Sequence, residues 1–121
     1  MRGELSMPAL QKLESDGNLK QVWENSTQKP IVLFKHSATC PVSADAFDEL
    51  ESFQESAADV HCYYVVVSEN RDVSNQIAEE TEIKHESPQI FLILNKKVVW
   101  HTSHSQISKY SITEALNQNY G

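Results

Sequence analysis

The chain has 121 residues, a net charge of −7 and 40% hydrophobic residues. That length suits one domain large enough for its own hydrophobic core. The acidic balance, without a basic stripe, argues against nucleic acid or an anionic membrane as a main partner. No run approaches a transmembrane span, and Met1-Arg2-Gly3-Glu4-Leu5-Ser6-Met7 has no apolar core of signal-peptide length. Two cysteines in such a chain are expected to be thiols of a reducing compartment, which makes the cytoplasm the expected location.

Ser15-Asp16-Gly17 supplies cap chemistry before Leu19, Val22, Trp23 and Ser26, a spacing that predicts a helix over 17–27. Residues 31–36 read as a strand, Ile31-Val32-Leu33-Phe34 being apolar on both faces and therefore central. After Cys40-Pro41, the positions Ala46, Phe47, Leu50, Phe53 and Ala57 form one helical stripe. A second buried strand is expected over 60–67, and a shorter helix around Val73, Ile77 and Ala78. Ser87-Pro88 leads into Gln89-Ile90-Phe91-Leu92-Ile93-Leu94, a polar turn Asn95-Lys96-Lys97 and Val98-Val99-Trp100, the pattern of a hairpin. Ser111-Ile112-Thr113-Glu114 has capping-box form and is expected to open the last helix. The order βαβ, helix, β-hairpin, helix predicts an α/β, thioredoxin-like fold with a central mixed sheet. Residues 1–7 are expected to be a flexible N-terminal segment and 8–121 a single domain.

Cys40 stands where the first core strand gives way to a helix, the edge at which open α/β sheets place their ligands. A sulfur there lies among unpaired N–H groups at the positive end of a helix, and both favour thiolate over thiol. A cysteine can also be a small buried hydrophobe, but Cys40 lies outside both apolar stripes. Pro41 suits the first helical position because its missing N–H would have had no partner. Three residues after Cys40 stands Ser43, so the motif holds one nucleophilic sulfur and no resolving thiol. Ser43 falls on the inward stripe and is expected to face Cys40 and donate a hydrogen bond to its sulfur; the plainer reading is a first-turn serine. Lys35 and His36 are candidates for positive potential beside the thiol, against a solvated strand end.

Pro88 enters a buried strand, which proline tolerates at a strand's first residue. In a thioredoxin-like domain it is expected to be cis, to lie against Cys40, and to leave the Ser87 backbone free to pair with a substrate chain. Cys62 lies near the start of its strand while Cys40 follows the end of a parallel one, which puts them more than ~10 Å apart and makes Cys62 structural. His36, His61, His85, His101 and His104 lack metal-ligand spacing, so no metal is expected. A peroxidatic site is set aside because Leu33 stands where that motif needs proline.

The segments Lys35-His36-Ser37, Thr39-Cys40-Pro41-Val42-Ser43, His85-Glu86-Ser87-Pro88-Gln89 and Val99-Trp100-His101 together resemble the monothiol bacilliredoxin family over residues 8–120. The resemblance implies a thioredoxin-like fold and the removal of bacillithiol from mixed disulfides of cytoplasmic proteins. Carried over by position, Cys40 is the nucleophile, Ser43 the replaced resolving position and Pro88 the cis-proline, with substrate contacts at Thr39, Pro41, Ser87 and Pro88. Bacillithiol is then a co-substrate, with no tightly bound cofactor, and a low-molecular-weight thiol regenerates the enzyme. The chain departs from glutaredoxins in having no Gly-Gly pair after the hairpin and a proline loop one residue longer than in thioredoxins. Two other classes stay open: a monothiol glutaredoxin-like iron–sulfur carrier, disfavoured by Pro41 where glycine is usual, and a silent binding module with an unreactive Cys40.

Overall fold

Two runs of β-branched and aromatic residues make the centre of the molecule. A computed structural model describes residues 10–57 and 59–120; the segment 1–7, expected to be flexible, lies outside the described residues. The elements are β1 (Gln11–Lys12), α1 (Asp16–Asn25), β2 (Ile31–His36), α2 (Pro41–Ser56), β3 (His61–Val66), α3 (Arg71–Thr81), β4 (Gln89–Leu94), β5 (Lys97–Ser103), a 3-10 turn (His104–Gln106) and α4 (Lys109–Asn119). The five strands form one mixed sheet in the order β1-β3-β2-β4-β5. Strands β1, β3 and β2 are parallel, and β4 and β5 are added antiparallel.

Alternation along the strands divides the core in two. Val32, Phe34, Ile90 and Leu92 pack under α2 and α4 with Ala46, Leu50, Phe53 and Ile112. Ile31, Leu33, Val65, Phe91 and Ile93 pack on the other face under α1 and α3 with Leu19, Val22, Val73 and Ile77. Each fully buried Leu, Ile or Phe contributes about 1.5–3 kcal/mol relative to exposure, so both faces of β2 and β4 are firmly covered. These two strands carry the segments that follow or precede them, the Cys40 turn and the proline loop.

Three boundaries differ from the sequence reading. Strand β1 has no signal in the sequence: Gln11-Lys12 lacks apolar alternation and is held by pairing with Tyr63 and Tyr64. The last helix begins at Lys109, not at Ser111: Ser108 is its cap, and Ser111 closes the box with both reciprocal bonds at 3.0 Å. Helix α1 stops at Asn25 because Ser26 turns to the hairpin. Its carbonyl accepts from the Asn95 N–H at 2.9 Å and its hydroxyl from the Lys96 N–H at 2.9 Å. Asn95 and Lys96 both have positive φ, 50° and 65°, as a two-residue hairpin turn requires.

Candidate active site

The site forms where β2 runs out. Ser37, Ala38 and Thr39 make a tight turn closed by the Cys40 N–H donating to the Ser37 carbonyl at 3.2 Å. Cys40 is the N-cap of α2, in extended conformation, with Pro41 as the first helical residue. The Ala44 N–H donates to the Cys40 carbonyl at 3.0 Å, which starts the helix. The N–H groups of Val42 and Ser43 have no intrahelical acceptor at this terminus, so the sulfur lies where the helix offers positive potential. Cys40 is a free, partly exposed thiol. Thr39 and Pro41 beside it are exposed, and Val42 adds apolar surface, 40% exposed.

Ser43 is fully buried, and its hydroxyl is already committed. It accepts from the Ser37 N–H at 2.9 Å and lies 2.8 Å from His36 Nδ1. Among the described residues it makes no hydrogen bond to the Cys40 sulfur, so the expected donation to the thiolate is replaced by a clasp on the turn that carries the thiol. The inward stripe placed Ser43 correctly; the competing partners at the end of β2 were invisible to periodicity. Ser43→Ala is expected to cost about 1–3 kcal/mol, because it leaves the partly buried Ser37 N–H and the His36 nitrogen without their partner. Urea unfolding measures this, and an unchanged midpoint would refute the clasp.

The two basic candidates are placed differently from the expectation of positive charge at the thiol. His36 stacks on Phe47 at 4.9 Å between centroids, and burial lowers its pKa from the usual 6.5. It is therefore neutral at pH 7 and adds no charge. Lys35 is neither solvated nor beside Cys40. It has no exposure and points to the opposite face of the sheet, its Nζ 3.0 Å from His85 Nδ1 and 5.9 Å from the Phe91 ring centroid.

The Ser87–Pro88 bond is cis, as the sequence reading expected. Lys35 pairs with Gln89 across β2 and β4, so Pro88 falls next to His36, at the root of the Cys40 turn. Pro88 is buried and Ser87 partly so, and the Ser87 hydroxyl makes no hydrogen bond among the described residues. One contributor to this loop escaped the sequence reading. Gln89 is buried, donates to the Lys84 carbonyl at 2.9 Å and accepts from the Glu86 N–H at 3.1 Å. The available signal was a glutamine opening an otherwise apolar strand.

Cys62 is buried in β3, level with Val32. The four residues from Val32 to His36 span about 13 Å, well beyond disulfide reach of the Cys40 turn. Burial pushes the Cys62 thiol up to about 12, so it holds almost no thiolate at neutral pH. Iodoacetamide at pH 8 is expected to label one thiol in the folded protein and two after denaturation; two labels in the folded protein would contradict this assignment.

A thioredoxin fold with one partly exposed cysteine capping α2, serine at the usual resolving position and a cis-proline alongside defines the monothiol thiol oxidoreductase class. Within it, the chain belongs to the monothiol bacilliredoxin BrxC family, whose model matches residues 11–112. It is 40% identical to a solved structure of a proposed oxidoreductase with a thioredoxin fold, over 88% of this chain and 93% of that chain, with a TM-score of 0.81. Thioredoxin from Trypanosoma brucei brucei superposes with a TM-score of 0.78 at 12% identity, over 98% of this chain and 96% of that one. Fasciola hepatica thioredoxin gives 0.76 at 15% identity, over 90% and 98%. At these identities the two thioredoxins show the shared fold alone.

Proposed function

We propose that the chain removes bacillithiol from mixed disulfides of cytoplasmic proteins by thiol–disulfide exchange at Cys40. The Cys40 thiolate attacks the bacillithiol sulfur of the mixed disulfide. The bond from that sulfur to the substrate protein breaks, a new disulfide forms on Cys40, and the protein leaves as a thiolate that takes a proton from water. One disulfide is consumed and one is made, so no external oxidant or reductant enters this step. A second, low-molecular-weight thiol then attacks the bacillithiol sulfur on Cys40. Cys40 leaves as the thiolate, and the two small thiols depart joined as a disulfide.

The observation that carries this reading is the isolation of the Cys40 sulfur. Ser43 stands at the resolving position with its hydroxyl committed to His36 and Ser37, and Cys62 is buried at a different level of the sheet. Exchange at such a thiol pauses as an adduct that needs an outside thiol. On this reading Thr39 and Pro41 beside the sulfur, and Ser87 and Pro88 of the proline loop, contact the substrate chain. No helix of the described residues is long and apolar enough to cross a membrane.

Clearance of a preformed Cys40 adduct tests the choice of thiol. Bacillithiol is expected to release it faster than glutathione at equal concentration and pH, followed by intact mass. Equal rates would leave the exchange chemistry standing and remove the bacillithiol assignment.

A further inference from the structure

Lys35 is the buried charged group that the exchange mechanism leaves unused. An ammonium taken into an apolar sheet face is costly unless it is paired, and among the described residues its one hydrogen-bond partner is His85, at 3.0 Å. His85 is exposed, in the segment between α3 and β4, with Nδ1 turned inward onto the amine. That segment leads into Ser87–Pro88. Its other ties run to the buried Gln89 side chain of β4, along the backbone, or between side chains near the surface. Gln89 holds the Lys84 carbonyl and the Glu86 N–H, the His104 N–H donates to the Pro88 carbonyl at 3.0 Å, and His104 Nε2 meets Glu86 at 3.0 Å. Among the described residues, the His85 contact is the hydrogen bond that ties the loop to a side chain rooted in the core of β2, the strand that ends in the Cys40 turn.

We propose that the Lys35–His85 hydrogen bond is a latch that holds the Ser87–Pro88 loop in register with Cys40, making both residues positioning residues for the chain that carries the mixed disulfide. The inference rests on the exchange reading above. Neither side chain touches the reacting sulfurs; each acts through the loop.

The latch has a pH window. Lys35 as an ammonium donates to a neutral His85, and such a charge-assisted bond is roughly twice as strong as a neutral one. Burial lowers the Lys35 amine to about 8, so the bond weakens as pH rises through that value. On the acid side, protonated His85 would face the ammonium as a like charge. Burial, Lys35 and Arg71 of α3 hold His85 below the usual imidazole range, with Glu86 opposing them. Gln89 and Val65, the strand neighbours of Lys35, and Phe91 beneath it carry no charge.

The test compares two reactions of the full chain across pH 5.5–9.5. One is transfer from a short peptide whose single cysteine carries bacillithiol, which needs the loop. The other is alkylation by iodoacetamide, which needs only the thiol. His85→Ala is expected to raise KM for the peptide about tenfold, with kcat and the alkylation rate within about twofold of wild type. His85→Asn keeps an acceptor near the Nδ1 position and is expected to restore KM without the acid-side loss. In wild type the ratio of kcat/KM to alkylation rate should fall on both sides of the window; in Lys35→Met and His85→Ala it should be low and flat. Wild-type KM in His85→Ala, or equal defects in the Ala and Asn variants, would overturn the latch. No peptide transfer by wild type, with normal alkylation, would overturn the exchange reading and the latch with it.

Discussion

Cys40→Ser is expected to abolish transfer from a bacillithiolated protein, by at least about a thousandfold, to the uncatalysed background. A serine hydroxyl at the N-cap of α2 would meet the same helix N-terminus but is a far weaker acid and nucleophile than a thiol. Cys62 cannot take over. It is buried, its thiol is pushed up to about 12, and it lies level with Val32 instead of at the end of the sheet. Cys62→Ser is therefore expected to transfer at the wild-type rate, provided stability is matched, since a hydroxyl in that core position lowers stability on its own account. Rates from single-turnover mass spectrometry check both variants. Transfer that persists in Cys40→Ser, or fails in a folded Cys62→Ser, would move the nucleophile away from Cys40.

Ser43→Cys is expected to turn the monothiol site into a dithiol one. Cys40 caps α2 and Ser43 is three residues on, and side chains with that spacing are neighbours on a helix, within the range a disulfide spans. The clasp adds a base, because His36 Nδ1 already lies 2.8 Å from the Ser43 oxygen and is held neutral by burial. It would accept the proton of the introduced thiol as that thiol attacks the adduct on Cys40. Mild oxidation should therefore consume both thiols of the motif, leaving Cys62 alone to titrate, and the bacillithiol adduct should no longer accumulate. The substitution should also lower stability, since sulfur is a weaker acceptor for the Ser37 N–H. Two thiols left free at the motif after oxidation would mean that the side chains at 40 and 43 do not face each other.

The parts of the fold with a strong local signal were legible in the sequence. Ile31–Phe34 and Ile90–Leu94 are apolar on both faces, and both are central strands. Cys40-Pro41 marks a helix start by chemistry that needs no tertiary context, and the helix begins there. What escaped depends on partners distant in sequence. Gln11-Lys12 becomes a strand only because β3 offers it an edge. Lys35 reads as the polar end of a strand, yet the loop 50 residues away brings His85 over it and the amine is buried. His36 and Ser43 each looked like groups serving the thiol, and the fold pairs them with one another. Periodicity says which face a side chain takes; it does not say which of several polar partners on that face it meets.

The central claim is that one sulfur carries the exchange and stops there until an outside thiol arrives. Intact mass of the wild-type chain, after incubation with a bacillithiolated protein and no free thiol, tests it most directly. The account predicts a single bacillithiol adduct per chain, mapped to Cys40, with release of one equivalent of substrate thiol and no adduct on Cys40→Ser. An adduct on Cys62, or turnover that continues without any added thiol, would contradict it.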